Sequence, residues 1–222
     1  LMVIPESYRG FDYPAMIAGL RPSLPDLRHV LVVGGSGPDS FEAFMADAPG
    51  PDAVPPFPPA DGNAITQLLY TSGTTGEPKG VMHTGNTLIG NVEACIERLG
   101  LGSDDVVLMA SPLAHQTGFM YGMMMPVMLG ATSVLQDVWE PGQGIALIRA
   151  EGVSFTMAST PFLTDLTNAV EAGGHDLPSL RVFLVAGAPI PRALVERAGP
   201  ALGTAIVSAW GMTENGLVTM TR

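Results

Sequence analysis

The chain has 222 residues, enough for one large domain or slightly more with a sizeable buried core. Apolar residues make up 46% of it, which excludes disorder as the overall state. Ten basic residues against twenty-one acidic ones give a formal net charge of -11; this argues against a surface that grips nucleic-acid backbones, but not against one small phosphate ligand held locally.

A single cysteine, Cys95, excludes an intrachain disulfide and a structural zinc site built from several cysteines, and its setting in "NVEACIERLG" reads as a packed thiol on a helix. No basic stretch followed by an apolar core opens the chain. The most apolar run, "GFMYGMMMPVMLGA", is too short to span a bilayer and contains Pro126. A soluble, cytoplasmic protein with no transmembrane segment is expected. The opening Leu1-Met2-Val3-Ile4 resembles the middle of a strand, and the chain stops shortly after another apolar run, so a fragment of a longer protein is expected as well.

In chain order, "HVLVVGGSG" (29–37) reads as a buried strand and its exit turn. Residues 49–61 carry six prolines and one glycine and read as a surface connection, the best internal boundary. Strand-like "AITQLLYTS" follows, then a loop that continues to Thr84. Leu88, Val92, Cys95, Ile96 and Leu99 recur at helical spacing, with Gly100 as the stop. "DVVLMASPL" is a strand, the methionine-rich run a buried helix, "TSVLQD" a strand and "GQGIALIRAEG" a helix. "VSFTMAST" is a strand, "PFLTDLTNAVEAG" a helix, "LRVFLVAGAPI" a strand and "PRALVERAGPALG" a helix. "TAIVSAWGMTE" closes the series as a strand and its exit. This alternation implies an α/β fold, a mostly parallel sheet covered by helices, with ligands outside the carboxyl ends of its strands. Segments starting at Thr71, Gly187 and Trp210 are expected at such ends.

Two patterns fail as signatures. "GGSGPDS" (34–40) has Ser40 where a dinucleotide fingerprint needs its third glycine, and Pro38 where a nucleophile elbow needs its last one. The loop "YTSGTTGEPKGVMHT" has Pro78, not glycine, before Lys79, so it is not the common phosphate loop. It nevertheless holds the parts of a polyphosphate cradle. Gly73, Gly76 and Gly80 can take positive φ and let backbone N–H groups approach oxygens, Ser72, Thr74 and Thr75 bring rotating hydroxyls, and Lys79 adds a compact charge.

Ten consecutive positions of that loop, Thr71 to Gly80, closely resemble the signature of the adenylate-forming superfamily, which contains acyl-CoA synthetases, firefly-type luciferases and peptide-synthetase adenylation domains. "SPLAHQTGF", "VAGAPIPRAL" and "AWGMTE" resemble three further segments of that family in the right order, so the likeness spans roughly residue 60 to the end. The run "HQTGFMYGMMMPVMLGATSVLQD" is most similar to medium-chain and cyclohexanecarboxylate-type acyl-CoA ligases.

The resemblance implies that residues 1–60 end a first N-terminal subdomain, with a proline-rich connection, and that 61–222 form an ATP- and acyl-binding α/β subdomain truncated at its C-terminus. It implies ATP, Mg²⁺ and coenzyme A as reaction partners of a carboxylic acid. Thr71, Ser72, Gly73, Thr74, Thr75, Gly76 and Lys79 would hold the β- and γ-phosphates, Glu214 would bind Mg²⁺ and Thr213 a phosphate oxygen. Trp210, with Gly211, would stack on adenine, Gly187 and Ala188 would leave room beside adenine and the acyl group, and His115 would stand by the reacting carboxylate. The methionines of the apolar run, Met120 to Met128, are expected mainly in the core, with one or two lining an adaptable acyl tunnel. His29, His83 and His175 have no supporting context and read as surface or structural residues.

The later aspartate that holds the ribose in this family, and its small C-terminal lid domain, have no counterpart here, so the isolated chain is expected to be inactive. A close alternative is an adenylating enzyme that passes its acyl group to a carrier protein. From another class come a nucleotide- or acyl-binding module and an inert remnant.

Overall fold

The computed structural model describes residues 1–50, 56, 58–72 and 76–221. The chain divides into two compact units, Leu1–Pro59 and Ala60–Arg222.

In the first unit, β1 (Met2–Pro5) and β4 (Val30–Val33) pair in parallel, joined through the short hairpin β2 (Ser7–Tyr8) and β3 (Phe11–Asp12) and the helix α1 (Tyr13–Leu20). Asp12 caps α1 by accepting from the Ala15 N–H at 2.9 Å. Only Leu31 of β4 is buried, so this strand is less enclosed than its apolar composition suggests. "GGSGPDS" is the turn from β4 into α2 (Phe41–Ala46), and Ser40 caps that helix through the Ala43 N–H. Residues 51–55 and 57 of the proline-rich connection lie outside the described residues.

The second unit is built on a six-stranded sheet. Its strands are β7 (Val106–Met109), β8 (Thr132–Leu135), β9 (Phe155–Ala158), β10 (Val182–Val185), β11 (Ala205–Met212) and β12 (Gly216–Met220), in the order β12-β11-β10-β9-β7-β8. All neighbours are parallel except the β11–β12 pair. From β7 the chain first moves outward to β8, then crosses back to lay β9 on the other side of β7. The order therefore reverses between β7 and β9, where connections leave toward opposite faces.

Strand periodicity sorts the core into two layers. Leu108, Phe183 and Val185 point to one face, where they pack with α5 (Pro141–Glu151), α6 (Thr160–Gly173) and α7 (Arg192–Leu202). Val107, Met109, Phe155, Met157, Val182 and Leu184 point to the other, against α3 (Gly85–Leu99) and the methionine-rich segment. Each fully buried side chain of this size contributes about 1.5–3 kcal/mol, so the sheet is the rigid part of the unit. Cys95 on α3 belongs to the second layer, and burial pushes its thiol up to about 12, as suits a packed, unreactive sulfur.

Several sequence expectations need correction. The methionine-rich run is not one α-helix; it is a π-helical segment, Gly118–Met124, followed by the short α4 (Met125–Leu129). Pro126 has no N–H to give to the Gly122 carbonyl, and Ser133 Oγ bonds that oxygen at 2.7 Å instead. A Cβ on Gly118 would lie 2.2 Å from the Pro112 carbonyl oxygen, so only glycine lets this segment fold back on the strand exit.

The strand before the signature loop is not buried, and the loop does not end a strand of the large sheet. Among the described residues β5 (Ile65–Thr71) pairs only with β6 (Lys79–Thr84), an antiparallel hairpin whose first strand leaves Ile65, Leu68 and Tyr70 more than half exposed. The stretch Lys79–Thr84, read as loop from its composition, is thus a strand, because cross-strand pairing to β5 supplies hydrogen bonds that local propensity does not predict. Gly76 takes φ +92°, but Gly80 lies in β6 with the Leu68 side chain beside it rather than at a positive φ. Trp210 lies inside β11 rather than at its exit, just before an irregularity in the pairing with β12.

Candidate functional site

Three strand exits meet at the carboxyl end of the large sheet. The segment after β7 brings His115, Gln116 and Thr117; the segment after β10 brings Ala186 and Gly187; the end of β11 brings Gly211, Met212 and Thr213. With Met157 of β9, Tyr121, Gly216 and Leu217 they line a cavity of about 230 Å³ at the point where strand order reverses. A neighbouring hollow of about 260 Å³ shares His115, Thr117, Met157, Ala186 and Gly187 and adds Ser159 and Phe162. No methionine of the π-helical run lines either space; Met157 lines both and Met212 the first.

His115 Nδ1 accepts the Thr117 backbone N–H at 3.1 Å. That bond places the neutral ring's proton on Nε2, so the imidazole can donate to an oxygen of a ligand. Gln116 is 4% exposed, yet neither its amide nitrogen nor its amide oxygen has a hydrogen-bond partner among the described residues. Leaving such a group unpaired costs about 1–3 kcal/mol, so a bound molecule with a donor and an acceptor has something to gain here. Gly211 is required by close approach, since a Cβ there would lie 2.3 Å from the Gly216 carbonyl oxygen. The Ala188 carbonyl accepts from Thr160 Oγ1 at 3.3 Å, tying the β10 exit to the start of α6.

Behind the cavity the polar groups are paired. The Tyr121 hydroxyl donates to Asn91 Oδ1 and accepts the Leu217 N–H at 3.2 Å. Burial pushes the Tyr121 phenol well above its usual range, so it stays a donor. Asn91 Nδ2 donates to the carbonyls of Asn215 at 2.9 Å and Leu217 at 2.8 Å. His83, buried to 5% exposure, bonds the Thr213 carbonyl through Nε2 at 2.7 Å and Thr87 Oγ1 through Nδ1 at 3.2 Å.

The structure thus brings His115, Gly187, Gly211 and Thr213 around one cavity, with Ala188 beside it. Glu214 sits exposed on the turn that follows, without an ion pair among the described residues, and Trp210, 55% exposed on β11, does not line the cavity. Thr71, Ser72, Gly76 and Lys79 belong to the hairpin and its tip, apart from the cavity walls. Gly73, Thr74 and Thr75 lie outside the described residues. Gln116, Tyr121 and Asn91 were not singled out from sequence, and His83 was read there only as a surface or structural residue. Gln116 stands next to a residue that was singled out; the others have partners about 30 to 130 residues away and no local signal.

Among the described residues no three His, Cys, Asp or Glu side chains gather closely enough to hold a metal ion. The lone carboxylate of Glu214 fits a different kind of site, in which Mg²⁺ keeps its waters and phosphate oxygens and takes one or two protein oxygens. No helix among the described residues is long and apolar enough to cross a membrane.

Known proteins place this geometry. The family described as AMP-binding enzyme matches residues 2–222. A medium-chain fatty-acid–CoA ligase of Escherichia coli K12 is 35% identical over 90% of this chain and 35% of its own length. A salicylyl-CoA synthase / salicylate adenylyltransferase of a Streptomyces species is 32% identical over 100% of this chain and 41% of its own. Among solved structures, the anthranilate CoA ligase AuaEII in complex with anthranoyl-AMP superposes with a TM-score of 0.84 at 23% identity, over 99% of this chain and 41% of that one. ATP-bound MatB from Rhodopseudomonas palustris gives 0.81 at 22% identity, over 99% and 42%. These two likenesses concern the fold, a parallel-rich α/β sheet shared with adenylate-forming enzymes. Spanning only about two fifths of the length of such relatives, but matched nearly end to end, the chain belongs to the AMP-binding enzyme family.

Proposed function

We propose that this chain is the nucleotide- and acyl-binding part of an acid–thiol ligase. In the whole protein a carboxylate oxygen attacks the α-phosphorus of ATP, and the bond to the β-phosphate breaks, releasing pyrophosphate and leaving an acyl-adenylate. The sulfur of coenzyme A then attacks the acyl carbon, and AMP departs with the electron pair of the broken C–O bond. The first step brings anions together, so the protein must neutralise charge and fix an in-line approach.

The observation that carries this reading is the meeting of His115, Gly187 and Thr213 around one cavity where the strand order reverses. His115, its proton on Nε2, would donate to the carboxylate or to the oxygen that bridges to phosphorus. Gly187 and Ala188 would lie along the adenine and the acyl group, with Trp210 stacked on adenine beside Gly211. Thr213 would bond the α-phosphate. Thr71 to Gly76 and Lys79 would hold the outer phosphates, with Glu214 one ligand of the Mg²⁺ that accompanies ATP. That ion, when bound, would offset the phosphate charge. Met157, Met212 and Leu217 give the cavity an apolar wall, and together with the likeness to a medium-chain fatty-acid–CoA ligase they favour a medium-chain or alicyclic acid.

The test is a screen of the whole protein against straight-chain, alicyclic and aromatic acids, following AMP release with and without coenzyme A. Release that needs both a medium-chain or alicyclic acid and coenzyme A is expected. Adenylate formation without turnover on coenzyme A would instead favour a carrier-protein acceptor. ATP consumption independent of every acid would overturn the reading. The 222-residue chain alone should bind Mg·ATP weakly in calorimetry and catalyse no pyrophosphate exchange.

A further inference from the structure

We propose that His83 is a positioning residue that sets the Thr213–Glu214 turn in one frame with β6 and the start of α3; the inference rests on the reading above. His83 lies on β6, four residues after Lys79 and one before Thr84, the cap of α3. At the strand rise of about 3.3 Å per residue, its backbone is roughly 13 Å from that of Lys79 along the same strand. Its ring is buried and turned away from the hairpin's exposed face, and it reaches a carbonyl 130 residues further along the chain.

The chemistry of the two contacts assigns the ring's role. The Thr213 carbonyl can only accept, so Nε2 carries a hydrogen and donates it at 2.7 Å. Nδ1 faces Thr87 Oγ1 at 3.2 Å, inside the capping box that Thr84 and Thr87 form at the start of α3. The ring is therefore fixed by a helix start and holds the turn. On the other side of Glu214, the Asn215 carbonyl is held by Asn91 of α3 at 2.9 Å. Glu214 is thus the residue between two anchored carbonyls, one tied to β6 through His83 and the other to the second turn of α3 through Asn91. A carboxylate that would be one ligand of a metal gains from this restraint, because its own side chain is exposed and has no ion pair among the described residues.

A pair of amides separates positioning from packing. H83Q can place its amide nitrogen near the position of Nε2 and keep the bond to Thr213; H83N is shorter and reaches only toward Thr87. In the whole protein, H83N should weaken Mg·ATP binding about tenfold in calorimetry and raise the Mg²⁺ concentration for half-maximal activity as much, with the KM for the acid unchanged. H83Q should stay within about twofold of wild type. E214Q should raise the same Mg²⁺ requirement, and H83N combined with E214Q should add little to it, since both act on one carboxylate. Equal Mg·ATP binding and Mg²⁺ requirement for H83N, H83Q and wild type would overturn the proposal, as would full additivity with E214Q. Should H83N not fold, H83L takes its place with the same expectation. A wild-type protein that activates no acid would defeat the ligase reading itself, an outcome distinct from a ligase indifferent to His83.

Discussion

The two ends of the large sheet are built on opposite terms. At the amino end, Asp105 joins three neighbouring strands: it accepts from Ser154 Oγ, just before β9, and from Arg181, just before β10, both at 2.6 Å, and from the Gly102 N–H at 2.8 Å. Three donors from the same chain thus converge on one carboxylate. At the carboxyl end, the Gln116 amide has no partner among the described residues, His115 offers an uncommitted Nε2, and glycines hold the walls open. The same strands carry both ends, so the contrast is not one of fold. At one end polar groups hold β7, β9 and β10 in register; at the other, the Gln116 amide is left without a partner among the described residues.

The amino end should therefore be where substitution costs the most stability. Burial pushes the Asp105 carboxyl up, but the hydrogen bonds from Ser154, Arg181 and Gly102, with the Arg181 charge, outweigh it and hold the group below its ordinary value of 3.8. A carboxyl lowered in the folded state contributes stability that is complete above the unfolded value and is lost as pH falls through the lower native one. Asp105→Asn should cost about 2 kcal/mol at pH 7, the scale of hydrogen bonds to a charged group. The cost should shrink as the pH drops below 3.8. Urea unfolding of the chain across pH checks this. A loss that is the same at pH 7 and at pH 3 would mean that packing rather than the charge is at work.

The contrast also explains what could be read from sequence. The central strands were legible because they are buried on both faces and write themselves as apolar runs, such as Phe155–Ala158 and Val182–Val185. α3 was legible from its spacing and from Gly100, which takes the left-handed conformation at its end. The hairpin was not, since β6 owes its strand conformation to pairing with β5 rather than to its own composition. Nor was the π-helical segment, which depends on Gly118 meeting the backbone at Ser111 and Pro112. In the candidate site, residues inside local motifs, His115 and Thr213, could be named in advance. His83 and Asn91 could not, because what distinguishes them is a partner far along the chain.

At the carboxyl end the expected effect is smaller and of the opposite sign. Gln116→Leu keeps most of the side-chain volume and removes an amide that the described residues leave unpaired. It should leave the chain as stable as before or add up to about 1 kcal/mol, while weakening capture of the acyl-adenylate about tenfold. A destabilisation above about 1 kcal/mol in urea unfolding would show that the amide has a structural partner, and the two ends of the sheet would then be less different than they look.

Lys79 should show the least effect on folding. It is exposed at the first position of β6, paired across the hairpin with Thr71, and makes no salt bridge among the described residues. Lys79→Ala should change stability by less than about 0.5 kcal/mol, as expected for an exposed side chain away from the core. Its effect should fall on the ligand: in the whole protein the KM for Mg·ATP should rise while that for the acid holds, because one compact positive charge near the outer phosphates is lost. Asp105 and Lys79 then mark the two limits of one scale, a charge that serves only the fold and a charge that serves only the ligand. Unchanged ATP kinetics in Lys79→Ala would remove the hairpin from the nucleotide site and leave the cavity at the strand exits as the whole of it.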